Sequence, residues 1–243
     1  LNFFLIFGYW IFPKLGVEGA AIGTLIARFC MILFIIFYLK LHKKLSIYIK
    51  RFIPSKVETK RLKKILYLGL PSALHSFFEV AFFISAVWMS GFIGKNSQAA
   101  NQIALNLASM TYMVALGVGV AAMIRVGNQM GTMNFKKLRE VAISTILLII
   151  FIDIVFCLIF LLFNDYLPLL YLDANNPSNL TDVNQVLDIA SKLLIIAGVF
   201  QLFDGIQAVV LGALRGMQDV NKPAIIIFLS YGVIGFPISY YLG

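Results

Sequence analysis

Apolar residues run through this chain in six continuous blocks, residues 19–39, 65–93, 97–124, 141–163, 193–214 and 223–242, separated by short polar stretches. Each block has about the 20 residues that a helix needs to cross a hydrocarbon core. Backbone groups at that depth find no water, so each block must satisfy its own N–H and C=O groups, which continuous apolar runs do as helices. Barrel strands would alternate apolar and polar residues, and these blocks do not. The pattern therefore predicts an all-α fold, a polytopic membrane helix bundle of about six transmembrane helices.

Composition excludes a soluble domain. Hydrophobic residues make up 60% of the chain and charged residues only 13%, with a mean hydropathy of +0.91. A soluble domain carries about a quarter charged residues and could not bury this much apolar surface. The formal net charge is +9, but ten of the twenty Lys and Arg residues lie between Lys40 and Lys64. Between the first and second blocks, that cluster reads as a cytoplasmic topology signal or a lipid-headgroup contact, not as a nucleic-acid surface.

The signs then alternate along the chain. Lys136, Lys137 and Arg139 follow the third block, and Arg215 and Lys222 follow the fifth, which assigns both connections to the inside. Residues 164–191 contain Asp165, Asp173, Asp182 and Asp188 but no Lys or Arg, and read as an external loop. Both ends of the chain then lie outside. Cys30 and Cys157 fall within apolar blocks and carry no redox information. The chain starts at Leu1 with no signal peptide ahead of the first block, and reads as an internal piece of a longer protein. Aromatic-rich, glycine-closed segments at residues 1–8 and 238–243 echo each other across six blocks, as expected if the piece covers about one repeat period.

Ionisable side chains inside spans are costly, which makes them candidates for function. Glu79 sits near the middle of its block, in Phe77-Phe-Glu-Val-Ala-Phe-Phe83, and Asp204 near the middle of another, in Phe200-Gln-Leu-Phe-Asp-Gly-Ile-Gln207. A lone carboxylate there must face a wet cavity, meet a cation or take up a proton, and those are the steps of ion coupling. The bland reading is a protonated, hydrogen-bonded structural acid. Asp153 has fewer polar neighbours in sequence and stays outside the candidate site. His75, one turn before Glu79 and on its helix face, reads as a helix-packing histidine ahead of a proton relay. Arg28 and Arg125 lie near inner ends of their spans, where they can snorkel to the interface.

A polar stripe adds to these. Gln102, Asn106 and Ser109 follow at i, i+4 and i+7, and Tyr112 continues them on one face expected to turn into the bundle. Such residues serve as interhelical hydrogen-bond partners or as cavity lining. Gln207 joins His75 and the stripe as a cavity-lining candidate, while Gly117 and Gly119 would allow close approach or bending. No catalytic residue and no cofactor are expected. The chain lacks H-E-x-x-H, a Walker A lysine loop, G-x-S-x-G and any Cys/His metal cluster.

Several motifs, in order along nearly the whole chain, carry a family resemblance. They are Gly16-Val-Glu-Gly-Ala-Ala-Ile-Gly-Thr24, Gly69-Leu-Pro71 opening a helix, Ala100-Asn-Gln-Ile103, Arg125-Val-Gly-Asn-Gln-Met-Gly131, and Gly212-Ala-Leu-Arg-Gly-Met-Gln-Asp219 followed by Lys222-Pro223. With them the chain resembles the multidrug and toxic compound extrusion (MATE) family of cation-coupled exporters, in its Na+-coupled, norfloxacin-exporter-like branch. The resemblance implies a twelve-helix transporter of two six-helix lobes. Residues 1–40 would be the end of the first lobe (end of helix five, then helix six), 41–64 a basic cytoplasmic inter-lobe loop, and 65–243 the second lobe with helices seven to eleven, helix twelve missing.

It further implies export of organic cations and other small-molecule drugs against Na+ or H+, by alternating access, as an antiporter. The family's helix-seven Glu and helix-ten Asp match Glu79 and Asp204, which would hold Na+ or a proton, and Tyr112 falls where a ring can face the ion. Some members carry a Tyr one turn before the helix-ten Asp, where this chain has Phe200, so the coupling ion stays open. The outer loop around residues 174–182 also looks long. Membrane lipids and the first lobe of the same polypeptide are the implied partners, with no nucleic acid, and the plasma (bacterial inner) membrane is the implied location. The alternatives are a lipid-linked glycan flippase of the same superfamily, expected to show a more cationic cavity, and a membrane-embedded enzyme, for which the Asp-rich motifs are missing.

Overall fold

A computed structural model of the chain describes residues 2–8, 13–42, 58–172 and 180–242. The centre of the basic 40–64 segment and residues 173–179 of the acidic segment, Asp173 among them, lie outside the described residues, as do Leu1 and Gly243 of the terminal echo. Among the described residues the regular structure is helical throughout. The helices are α1 (Asn2–Phe7), α2 (Gly16–Leu41), α3 (Thr59–Ile93), α4 (Lys95–Gly131), α5 (Phe135–Leu162), α6 (Leu180–Gly216), α7 (Asn221–Ile227) and α8 (Phe236–Leu242). A π-helical stretch, Phe228–Gly235, joins α7 to α8. Six helical stretches are long and apolar enough to cross a membrane, so the chain is a multi-pass integral membrane protein.

Two compact units divide the chain at residues 62 and 63. In the first, α1 folds back on the start of α2. Gly8 ends α1 at a φ of +71°, and the Leu15 amide donates to the Leu5 carbonyl at 3.0 Å. Gly19 lies against that carbonyl, where a Cβ would collide with it.

In the second unit, α4, α5 and α6 form a close-packed three-helix core. Glycine makes this possible between α4 and α6. A Cβ on Gly212 would strike the backbone of Gly119, and one on Gly216 the backbone of Met123. Gly212 and Gly216 are spaced as G-x-x-x-G, the pattern that lets membrane helices approach backbone to backbone. Gly117, paired with Gly119 in the sequence reading, faces open space instead. On α5, Ile149, Asp153, Cys157 and Phe160 are the buried stripe, while Leu147, Phe151, Ile154, Leu158 and Leu162 are exposed on the opposite side, as a lipid-facing helix requires.

Four sequence expectations change. The segment read as an external loop shrinks, because α6 begins at Leu180 rather than near residue 192. Val186 and Ala190 are buried there against Ala100, Ile103, Ala104 and Leu107 of α4, and that periodic apolar face draws the chain into a helix despite its Asp and Asn content. Lys136, Lys137 and Arg139 sit not in a loop but in the first turns of α5, capped by Asn134, whose side chain accepts from the Lys137 amide at 3.1 Å. Cations there oppose the helix dipole, and interfacial placement outweighs that modest cost.

Arg215 likewise lies in the last turn of α6. Gly69-Leu-Pro71 does not open a helix: Thr59–Leu68 are already helical, and Pro71 sits inside α3.

The C-terminal ends of α4 and α6 close with the same cap. After α4, Asn134 N bonds to Gln129 O at 3.1 Å and Met133 N to Met130 O at 3.1 Å, with Met133 left-handed at φ 56°. After α6, Asp219 N bonds to Leu214 O at 3.0 Å and Gln218 N to Arg215 O at 3.0 Å, with Gln218 at φ 64°. Both are Schellman closures, which satisfy the last carbonyls of a helix before the chain turns back. The N-terminal ends of α4 and α6 are tied by polar contacts. Lys95 Nζ lies 3.0 Å from Asp182 Oδ2, and Asn96 donates to both Asp182 and Gln185.

Helix α3 meets the final span through rings. Phe78 packs against Phe228 in a tilted pair with centroids 4.8 Å apart, and Phe82 against Tyr231 likewise at 5.1 Å. At the start of α7 the Asn221 side-chain amide donates to the Tyr67 hydroxyl at 2.6 Å. The π turn precedes Pro237, which lacks the N–H that would continue the regular ladder, and it carries Tyr231.

Candidate functional site

Helix α3 stands beside the three-helix core, and Glu79 bridges to it. The Tyr112 hydroxyl of α4 donates to Glu79 Oε1 at 3.1 Å. Glu79 is nearly buried, with 12% of its side chain exposed. Asp204 of α6 is 7% exposed, and its Oδ1 has no hydrogen-bond partner. The two carboxylates lie within electrostatic reach of each other, and Tyr112 lies in the field of both. Tyr231, from the π turn, also faces the pair and accepts from Gln207 Nε2 at 3.3 Å. Hydrogen bonds and mutual charge effects thus link Glu79, Tyr112, Asp204, Gln207 and Tyr231, from α3, α4, α6 and the final span.

The other candidates separate into two groups. His75 is 5% exposed, with Nδ1 3.3 Å from Arg215 Nη2 and 4.0 Å from Glu79 Oε2. A guanidinium only donates, so Nδ1 is the acceptor, and the ring proton sits on Nε2. His75 is then neutral, and its approach to Glu79 is not an ion pair. Gln102, Asn106 and Ser109, by contrast, are exposed on the side of α4 away from the close-packed core. They do not turn into it because Ala100, Ile103, Ala104, Leu107 and Thr111 occupy that face. Ser109 spends its hydroxyl on the Leu105 carbonyl at 2.6 Å, and Asn106 accepts from Tyr171 at 3.4 Å.

Three residues that sequence reasoning left out belong beside the site. Arg215 reaches His75 from the end of α6, three turns beyond Asp204 and on its face, and its charge acts on Glu79. Its signal was that periodicity, hidden by reading it as a loop cation. Tyr231 was visible only as one aromatic among many in an apolar block. Asp153 is 2% exposed, and its carboxylate fills the space where a Cβ on Gly205 would be. Its polar neighbour arrives from another helix, so local sequence gave no sign of it, although the Asp204-Gly205 pair did.

Among the described residues no three His, Cys, Asp or Glu side chains converge as ligands for a metal ion. The pair Glu79 and Asp204, with phenolic oxygen beside it, is a donor set for a hard monovalent cation or a proton, and the unpartnered Asp204 Oδ1 suits either.

The site lies within the apolar helix bundle of a multi-pass membrane protein. The MatE family model matches residues 71–241, and the chain belongs to that family. It is 35% identical to a probable multidrug resistance protein NorM of Agrobacterium fabrum over 99% of this chain and 51% of that protein. It is 32% identical to the multidrug resistance protein NorM of Vibrio cholerae over 100% of this chain and 51% of that protein. The Photobacterium profundum protein of that name matches at 28% identity over 100% of this chain and 51% of its own length. The chain thus spans about half the length of the curated relatives it matches.

Proposed function

We propose that the protein carrying this chain is a cation-coupled multidrug antiporter, which exports organic cations by alternating access against Na+ or H+. The observation that carries this reading is the Tyr112–Glu79 hydrogen bond beside a buried Asp204 with an open oxygen. Two acids held near each other at membrane depth repel until a cation or proton joins them, so ion binding is tied to the state of the helices that hold them. Helix α3 bears Glu79 and meets the final span through rings rather than close backbone packing, which suits an element that shifts against the α4–α6 core. The exposed stripe of Gln102, Asn106 and Ser109 would then face a substrate path, supported by its position one turn and more from Tyr112 on the open side of α4.

Expression of the full-length protein in a strain lacking its own exporters tests the reading. It should lower accumulation of several hydrophobic cationic dyes. Unchanged accumulation, with the protein folded and in the membrane, would refute it.

A further inference from the structure

Helix α3 meets the α4–α6 core through a few side-chain contacts, and one of them lies outside the acid pair. His75 Nδ1 of α3 accepts from Arg215 Nη2 of α6 at 3.3 Å. His75 is 5% exposed, and its Nε2 is buried without a hydrogen-bond partner, so the ring is held at one nitrogen only. Among the described residues Arg215 forms no ion pair, and this neutral ring is its side-chain hydrogen-bond partner. A guanidinium on a neutral acceptor is held less firmly than one in a bidentate carboxylate pair.

The two halves of the contact differ in rigidity. Arg215 belongs to the core, because Gly212 and Gly216 on either side of it lie so close to the α4 backbone that a Cβ on either would collide with it. The Schellman closure fixes the end of α6 just beyond. His75 belongs to a weakened stretch of α3. Pro71, one turn earlier, lacks the N–H that would bond the Tyr67 carbonyl, and its ring crowds that carbonyl. Ser72 and Ser76 turn their hydroxyls back on the Leu68 and Ser72 carbonyls at 3.1 and 3.3 Å, a pattern that bends helices. Helices kink at such places. Ser72, His75, Arg215 and Asp219 also line a small cavity, closed by Pro223 and Ala224 of α7, so the contact is not packed shut on that side.

We infer that Arg215 is a positioning residue: through His75 it latches α3 to the end of α6, and this latch opens and closes as α3 shifts against the core. Closed, it sets the rotation of α3 one turn from Glu79, whose Oε2 lies 4.0 Å from the same ring nitrogen. Open, it leaves α3 free to bend at Pro71 and to carry Glu79 away from Tyr112. Arg215 neither binds substrate nor ligates an ion in this role; it governs how long α3 stays in place. The inference rests on the reading of α3 as the shifting element and adds the contact that restrains it.

The test uses purified full-length protein in lipid nanodiscs, with its native cysteines replaced by alanine. Spin labels are attached through Phe77→Cys of α3 and Leu147→Cys of α5, both exposed positions. Pulsed EPR of this otherwise unaltered protein should give a major and a minor label distance. Arg215→Gln and His75→Phe should each raise the share of the minor distance at least several-fold, and His75→Asn, which keeps an acceptor, should restore the original ratio. In vesicles Arg215→Gln and His75→Phe should lower the maximal rate of dye efflux several-fold with the half-saturating dye concentration little changed, since a latch acts on motion and not on binding. Unchanged distances in both variants overturn the inference, as does a shifted ratio with an unchanged maximal rate. If the unaltered protein exports no dye, the proposed function fails and the distances alone decide the latch. If the variants do not fold, the unaltered protein decides. Two distances whose ratio changes when dye is added support the latch, and a single distance or an unchanging ratio overturns it.

Discussion

Tyr112 donates its hydroxyl hydrogen to Glu79 across 3.1 Å, so that one phenol ties α4 to α3 at membrane depth. The bond fixes the Glu79 carboxylate of α3 against Tyr112 of α4.

Tyr112→Phe keeps the ring and removes this bond. A hydrogen bond to a charged group contributes about 1.5–3 kcal/mol, so apparent affinity for the coupling ion should weaken by roughly tenfold or more while the protein stays folded. Ion-concentration dependence of transport in vesicles would check this, an unchanged half-saturating concentration being the contrary result.

The close approach of α4 and α6 predicts an asymmetry between neighbouring glycines. Gly212→Ala drives a Cβ into the Gly119 backbone, whereas Gly117→Ala meets nothing within 4 Å. The first should lower stability by about 1–3 kcal/mol, as overpacking does. The second should be neutral or slightly stabilising, since Ala is the better helix former by up to about 1 kcal/mol. Thermal unfolding of the two variants in detergent compares them directly.

Topology follows from charge. The positive-inside assignment predicts that a cysteine at Asn176 reacts with an impermeant thiol reagent in intact cells and that one at Ser55 does not. Both positions lie outside the described residues, which makes labelling an independent check. Reaction at Ser55 alone would invert the assignment.

Much of this was legible in the sequence because hydrocarbon leaves few choices: a run of apolar residues about 20 long is a helix or nothing. Glu79 and Asp204 stood out for the same reason, each being an expensive residue in a cheap neighbourhood. What sequence could not give was partnership across helices. Asp153 looked isolated because its neighbour, Gly205, is 52 positions away in the chain. The stripe of Gln102, Asn106 and Ser109 carried the right period but not the right sign, since period alone does not say which face is covered. Helix ends were misjudged at Leu180 and Thr59, where polar residues continue a helix past the apolar block into the interface.

The central claim is that Glu79 and Asp204 jointly bind the coupling cation, and gradient-driven efflux tests it most directly. Full-length protein in vesicles would be loaded with a fluorescent organic cation, and Na+ and pH gradients imposed separately. Wild type should respond to at least one gradient. Glu79→Gln, Asp204→Asn and the double variant, each folded and inserted, should respond to neither. Wild-type efflux from the double variant under either gradient would contradict the shared site.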